Sequence, residues 1–274
     1  MKPFALFLLV QFLLVAPLSA QKKHPPSVDL DTLEKVELPR IHHNAFNTGE
    51  KLTYRVRYGF FDAGEATIEV RPTNKTFNGR KVHHIVGVGK TISAFNWFYK
   101  VHDVYESYVD TRGDFPWQFE RDVSEGGYEF QQLYRFHQDK KAVETHKEQT
   151  FATPHGVQDM ISALYYARTF DFSNAYAGQI FTVKSFVDEE VFDLQVQFLG
   201  RETIRTKLGK FRCLKFVPHV QEGRVFKADE SVIIWVSDDA NKIPILAKAD
   251  IFVGSIKMEL TEYEGISNPL AQYH

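Results

Sequence analysis

The chain has 274 residues, 43% of them hydrophobic and 25% charged, with Lys+Arg 33 against Asp+Glu 35 for a formal net charge of -2. This composition excludes a disordered chain, and the near balance of charge gives no electrostatic reason to bind nucleic acid. A single cysteine, Cys213, rules out an internal disulfide, so the fold must be held by its core.

Taken in order, the chain opens with MKPFALFLLVQFLLVAPLSAQKK: one positive charge at Lys2, an apolar run from Phe4 to Val15, then small residues up to Ala20. This is the layout of a signal peptide over 1-20, cleaved near Ala20, and it predicts export to the periplasm. A membrane anchor is the competing reading, but the run is shorter than the ~20 residues a span needs. No cysteine stands at the end of the run, so no lipoprotein acylation site is expected there. Residues 21-44, rich in Pro and His, read as a flexible tether.

From Phe46 the pattern is alternation. Leu52, Tyr54, Val56 and Tyr58 share one strand face, and Ala66, Ile68 and Val70 repeat the pattern. Turn chemistry at Asp62-Ala63-Gly64, Asn78-Gly79 and Gly126-Gly127 makes the connections short, hence antiparallel hairpins. Val157, Met160, Ile161, Leu164, Tyr165 and Arg168 have helical spacing, with Thr153 and Pro154 placed as cap and first turn. Alternation then returns from Phe192 to Phe198 and from Ile256 to Leu260. The predicted fold is all-β, mainly antiparallel, with one central helix: a curved sheet, half-barrel or open sandwich. Its units are a first β repeat over 45-150, a linking helix over 151-175 and a second β repeat over 176-267, within one domain. The repeat rests on Gly49, Gly79, Asp110, Pro116 and Gly127, which recur at Gly178, Gly209, Asp238, Pro244 and Gly254.

The segments FNTGEKLTYRVRYGFFDAGEATIEV, NGRKVHHIVGVGKTISAFNWFYKVHDVYESYVD and WVSDDANKIPILAKADIFVGSIKMEL resemble the exported bacterial family catalogued as domain of unknown function 3108. The resemblance implies an exported protein of antiparallel strands, typically from Gram-negative bacteria. It brings no activity, cofactor or catalytic residue with it.

Candidate chemistry is sparse. His42-His43 and His83-His84 are adjacent pairs that point to opposite faces, and His102 with Asp103 or His137 is the remaining metal alternative. No metal, phosphate-loop or nucleophile motif occurs, so no cofactor, metal or catalytic residue is assigned. Cys213, between apolar neighbours in FRCLKF, reads as an inert buried thiol. Asp103, Glu106, Asp110, Asp122 and Glu125 gather around one hairpin, as paired carboxylates or as a wet sheet face. Arg112-Gly113-Asp114 matches a cell-adhesion tripeptide, yet it falls at a hairpin tip where Gly and Asp are favoured for backbone reasons. Phe95, Trp97, Phe98 and Tyr99 form an aromatic run that cannot all face inward, and with Leu164 and Tyr165 they are the candidate ligand-binding residues. The expectation is an envelope protein that binds an apolar or amphiphilic, lipid-like small molecule on a concave sheet face. Two alternatives stay open: a structural protein holding an envelope protein partner, and a hydrolase of envelope glycan or lipid.

Overall fold

Alternation becomes antiparallel strand along nearly the whole of the computed structural model, which describes residues 27–92, 99–219, 232–250 and 254–273. The leader expected over 1-20, and Phe95, Trp97 and Phe98, lie outside the described residues. The first run comprises β1 (Lys51–Tyr58), β2 (Phe61–Arg71), a short β3 (Thr76–Phe77), β4 (Arg80–Thr91), β5 (Val101–Asp110), β6 (Pro116–Glu125), β7 (Tyr128–His137), β8 (Ala142–Thr145) and β9 (Thr150–Ala152). The one α-helix among the described residues, α1 (Met160–Ala167), follows. The second run is β10 (Ile180–Val187), β11 (Glu190–Thr206), β12 (Gly209–His219), β13 (Val232–Ser237), β14 (Pro244–Asp250), β15 (Ser255–Glu264) and a short β16 (Gln272–Tyr273).

Both runs share one sheet, ordered β10-β11-β12-β13-β14-β15-β1-β2-β4-β5-β6-β7-β8-β9. The two runs are joined by pairing the late strand β15 with the first strand β1, from Lys51 opposite Glu264 to Tyr58 opposite Ile256. Register shifts at Thr53/Tyr54, Tyr108/Val109, Phe198/Gly200 and Trp235/Val236 curl the sheet, as bulges do. The curl carries β10 over β6 to β9: Phe186 packs on Tyr134 and Phe151, and Arg121 pairs with Asp188 at the tip of the β10–β11 hairpin. Strands β9 and β10 remain the two ends of the order, so the sheet is curved but unclosed. Gln158 covers the β10 edge, donating its N–H to Lys184 O (2.8 Å) and accepting from Phe186 N (2.7 Å).

The helix starts later than the sequence predicts. Thr153 and Pro154 are not its cap; Asp159 is, accepting from Ile161 N (2.7 Å) and Ser162 N (2.8 Å), while the Ser162 hydroxyl accepts from Asp159 N (2.8 Å). The intervening residues are spent on the edge bridge at Gln158, which requires extended backbone. Residues 27–44, read as a tether, run along the sheet: Val28, Val36 and Ile41 donate backbone N–H groups to Thr150, Asp139 and Arg112. Leu38 packs against Tyr108, Phe115 and Trp117, which anchors this segment at one apolar residue.

Two turns of the first run share local features with two turns of the second. Gly49 N donates to Val70 O and Gly178 N to Phe198 O, both at 2.8 Å. Asp110 N donates to Phe115 O and Ser237 N to Ile243 O, again both at 2.8 Å. The second residue before the return strand is left-handed in each case, with φ 49° at Asp114 and 50° at Lys242. The first of these turns contains Arg112-Gly113-Asp114. There Asp110 accepts from Arg112 N and Gly113 N, and Asp114 is only 2% exposed and paired with His43 at 3.1 Å. A buried, paired aspartate is not available to a receptor, so the tripeptide acts as a turn.

Candidate functional site: an apolar trough under the helix

Both ends of α1 are bolted to the sheet. At its N-terminus the Ser107 hydroxyl of β5 donates to Asp159 Oδ2 at 2.5 Å, both residues being fully buried. Burial pushes the Asp159 carboxyl up to about 6, while hydrogen bonds from Ser107 and from the backbone of Ser162 and Ile161 act the other way. At the C-terminus Arg168, 3% exposed, donates to both oxygens of Glu50 at 2.6 and 2.7 Å, to Asn241 O at 2.8 Å and to Ala45 O at 3.1 Å. The Tyr165 hydroxyl donates to the same Glu50 at 3.1 Å. The Arg168 guanidinium also lies over the Phe46 and Tyr165 rings. A buried pair this saturated orients the helix more than it stabilises the fold.

Between those bolts the helix does not reach the sheet everywhere. The residues lining the gap include small ones, Ala163 and Ala167 on the helix and Ala66, Gly87 and Ala247 on the strands. They leave a partly open cavity of about 200 Å³, walled almost wholly by carbon. Its walls include Ile161, Leu164 and Met160 of α1, Tyr54, Ile68 and Tyr105 of the first run, and Leu194, Val196, Ile234 and Met258 of the second. Phe172 and Phe216, whose rings are in contact with each other, also line it. Gly87 sets how closely the helix approaches, since a Cβ there would lie 3.3 Å from Ile161 Cδ1. Two cations, Arg168 and Lys242, contribute to the lining.

Of the candidate ligand-binding residues, Leu164 lines this trough. Tyr165 is buried on another side of the helix against Phe46, committed to Glu50, and is not among the lining residues. Tyr99 stands apart, packed over Gly126 at the β6–β7 turn, where a Cβ would overlap its ring. Of the candidates among the described residues, Tyr99, Leu164 and Tyr165 therefore do not form one cluster. Sequence reading missed the small residues on the dry sheet face. Their signal was present, in the small side chains of Ala66, Gly87 and Ala247 where neighbouring core positions carry large ones.

The acidic group around the β5–β6 hairpin divides on folding. Glu106 meets His84 (2.6 Å), Asp110 meets Arg80 (2.5 Å) and Trp117 (3.1 Å), and Asp122 accepts from Gln131 (3.1 Å). Only Asp103 and Glu125 act strongly on each other, each keeping a buried carboxyl oxygen that has no hydrogen-bond partner among the described residues, and Ser124 N donates to Asp103 Oδ1 at 3.0 Å. Burial raises Asp103 to about 8, helped by the Glu125 charge, so the pair holds a proton at neutral pH. Among the described residues no three His, Cys, Asp or Glu side chains converge as metal ligands. Cys213 is fully buried, and burial pushes its thiol up to about 12, which leaves it unreactive.

The fold and site thus define an unclosed, barrel-like β protein with an apolar trough under a tethered helix. The chain belongs to the family described as protein of unknown function (DUF3108), which it matches over residues 53–261, as the resemblance implied. Among solved structures it is similar to a β-barrel-like protein of domain of unknown function DUF1849 from Brucella abortus. That match has a TM-score of 0.51 and 11% identity, over 80% of this chain and 98% of that one. A proposed lipoprotein from Parabacteroides distasonis aligns at 11% identity over 84% and 100% of the two chains, with a TM-score of 0.29. A protein described as exported, with a YmcC-like fold, from Bacteroides fragilis aligns at 10% identity over 84% and 99%, with a TM-score of 0.31. No curated protein matches. Among the described residues no helix is long and apolar enough to cross a membrane.

Proposed function

We propose that this is an exported protein of the Gram-negative envelope, periplasmic after cleavage near Ala20, that holds an apolar or amphiphilic, lipid-like molecule in the trough under α1. The observation that carries the reading is the trough: about 200 Å³ of carbon-walled space beside a helix held at both ends. An apolar cavity of ~150 Å³ in a protein core stays dry and accepts a benzene-sized guest. This one has room for roughly seven methylenes, taking each as about the ~30 Å³ of a water. At ~0.8 kcal/mol per buried methylene, that is about 5 to 6 kcal/mol, a dissociation constant of about 0.1 mM from the chain alone. The features shared by those turns support a duplicated β unit whose copies each supply one side of the concave face. Export rests on the leader-like sequence of residues 1-20.

The test is native mass spectrometry, with lipid extraction, of protein purified from its own envelope. The expected result is a retained amphiphile that is lost in Ala247→Phe, whose ring would occupy the trough. A protein that carries no such mass and binds no apolar probe overturns the reading.

A further inference from the structure

Lys242 stands at the β13–β14 turn, and its side chain lines the trough beside Val236 and Pro244. Its ammonium makes no hydrogen bond or ion pair with any described residue. The other cation on the lining, Arg168, is saturated by Glu50 and two backbone carbonyls. Asp171 and Asp239 are the acidic groups that act on the Lys242 ammonium, neither of them in an ion pair with it, although Asp239 also accepts from the Lys242 backbone N–H at 3.3 Å. Asp171 accepts from Ser173 N (2.9 Å), and Asp239 accepts from the backbone of Asn241 (2.9 Å) and Ala271 (2.7 Å). Lys242 is thus a half-buried cation, without a direct counter-ion among the described residues, on the wall of an apolar cavity.

We propose that Lys242 anchors the headgroup of the trough's ligand, and that this ligand is a single-chain amphiphile with an anionic head. The inference rests on the trough being a ligand site, and it adds the class of the ligand. The carbon walls take the chain, and at about 200 Å³ they have room for one chain and not two side by side. The ammonium takes the head, as a carboxylate or as the phosphate of a single-chain lipid. Desolvation already lowers the proton affinity of this ammonium, a cost that a bound anion offsets. A charge-assisted hydrogen bond also fixes which end of the amphiphile enters first.

The experiment is calorimetric titration of wild type and Lys242→Gln with decanoate, decyl phosphate, decanol and inorganic phosphate. In wild type the two charged amphiphiles should bind about tenfold or more tightly than decanol, and the Gln variant should lose that advantage while its decanol affinity stays within about twofold. Whichever charged amphiphile loses more identifies the head. Lys242→Arg should keep most of the effect, and added salt should weaken decanoate but not decanol. Equal decanoate affinity in wild type and the Gln variant, with decanol still bound, overturns the anchor and leaves the trough reading intact. Inorganic phosphate binding as tightly as decyl phosphate makes Lys242 a free-anion site and overturns the proposal. Binding of none of the amphiphiles removes the trough reading and this inference with it. Should the Gln variant not fold, the Arg variant and the salt series on wild type decide, and a decanoate affinity that is flat with salt overturns the anchor.

Discussion

Replacing Asp103 by Asn should flatten the dependence of stability on pH. In the native protein burial and the neighbouring Glu125 raise the Asp103 carboxyl from 3.8 to about 8. The folded state therefore holds a proton that the unfolded chain gives up near pH 4. The contribution is fully present below that value and is lost as pH rises through about 8. Between pH 5 and 9 the native state protects roughly three pH units, an upper bound of about 4 kcal/mol at ~1.4 kcal/mol per unit. Glu125 shares the proton and is only partly buried, so about 2 kcal/mol is the working figure. In Asp103→Asn the amide oxygen can still accept from Ser124 N, and its NH2 can donate to Glu125 as a carboxylate. Urea unfolding at pH 5, 7 and 9 measures the effect. Wild type should lose about 2 kcal/mol more than the variant across that range. Asp159, also raised, contributes to both proteins and cancels in the difference. Parallel pH profiles for the two proteins would refute the shared-proton account.

Two further outcomes follow from the packing. Arg168→Met leaves Glu50, which is fully buried, without its cation, and should cost about 3 to 5 kcal/mol in the same unfolding assay, with Glu50→Gln added to it recovering part of the loss. Cys213 should resist a thiol reagent in the native state and react stoichiometrically in denaturant, since its sulfur is buried and its thiol is held well above the ordinary range.

The architecture was readable where one physical rule dominates. Leu52, Tyr54 and Val56 alternate because one sheet face is dry, and those three are buried as the period demands. Asp110 and Pro116 marked a turn because Asp caps exposed backbone N–H groups and Pro opens a strand. The start of the helix was missed because a tertiary contact decided it: Gln158 bridges to Ser185, and the cap fell to Asp159. The trough was harder still. It exists because Ala66, Gly87 and Ala247, far apart in sequence, meet under one helix, and the lack of side-chain bulk has no periodicity. Glu50 and Arg168 are 118 residues apart, and their pairing likewise depends on β1 and the helix end arriving at the same place. Asp103 and Glu125 were proposed as part of a five-carboxylate group, and adjacent-strand register selected that one pair from it.

The central claim is that an acyl chain lies under α1, and methyl NMR with decanoate tests it most directly. With Ile, Leu and Met methyls labelled, Ile161, Leu164 and Met258 should shift together in one saturable transition and show contacts to the chain. Surface methyls such as Ile180, 45% exposed, and Leu199, 41% exposed, should not move. Trough methyls that stay still while those surface methyls respond would contradict the account.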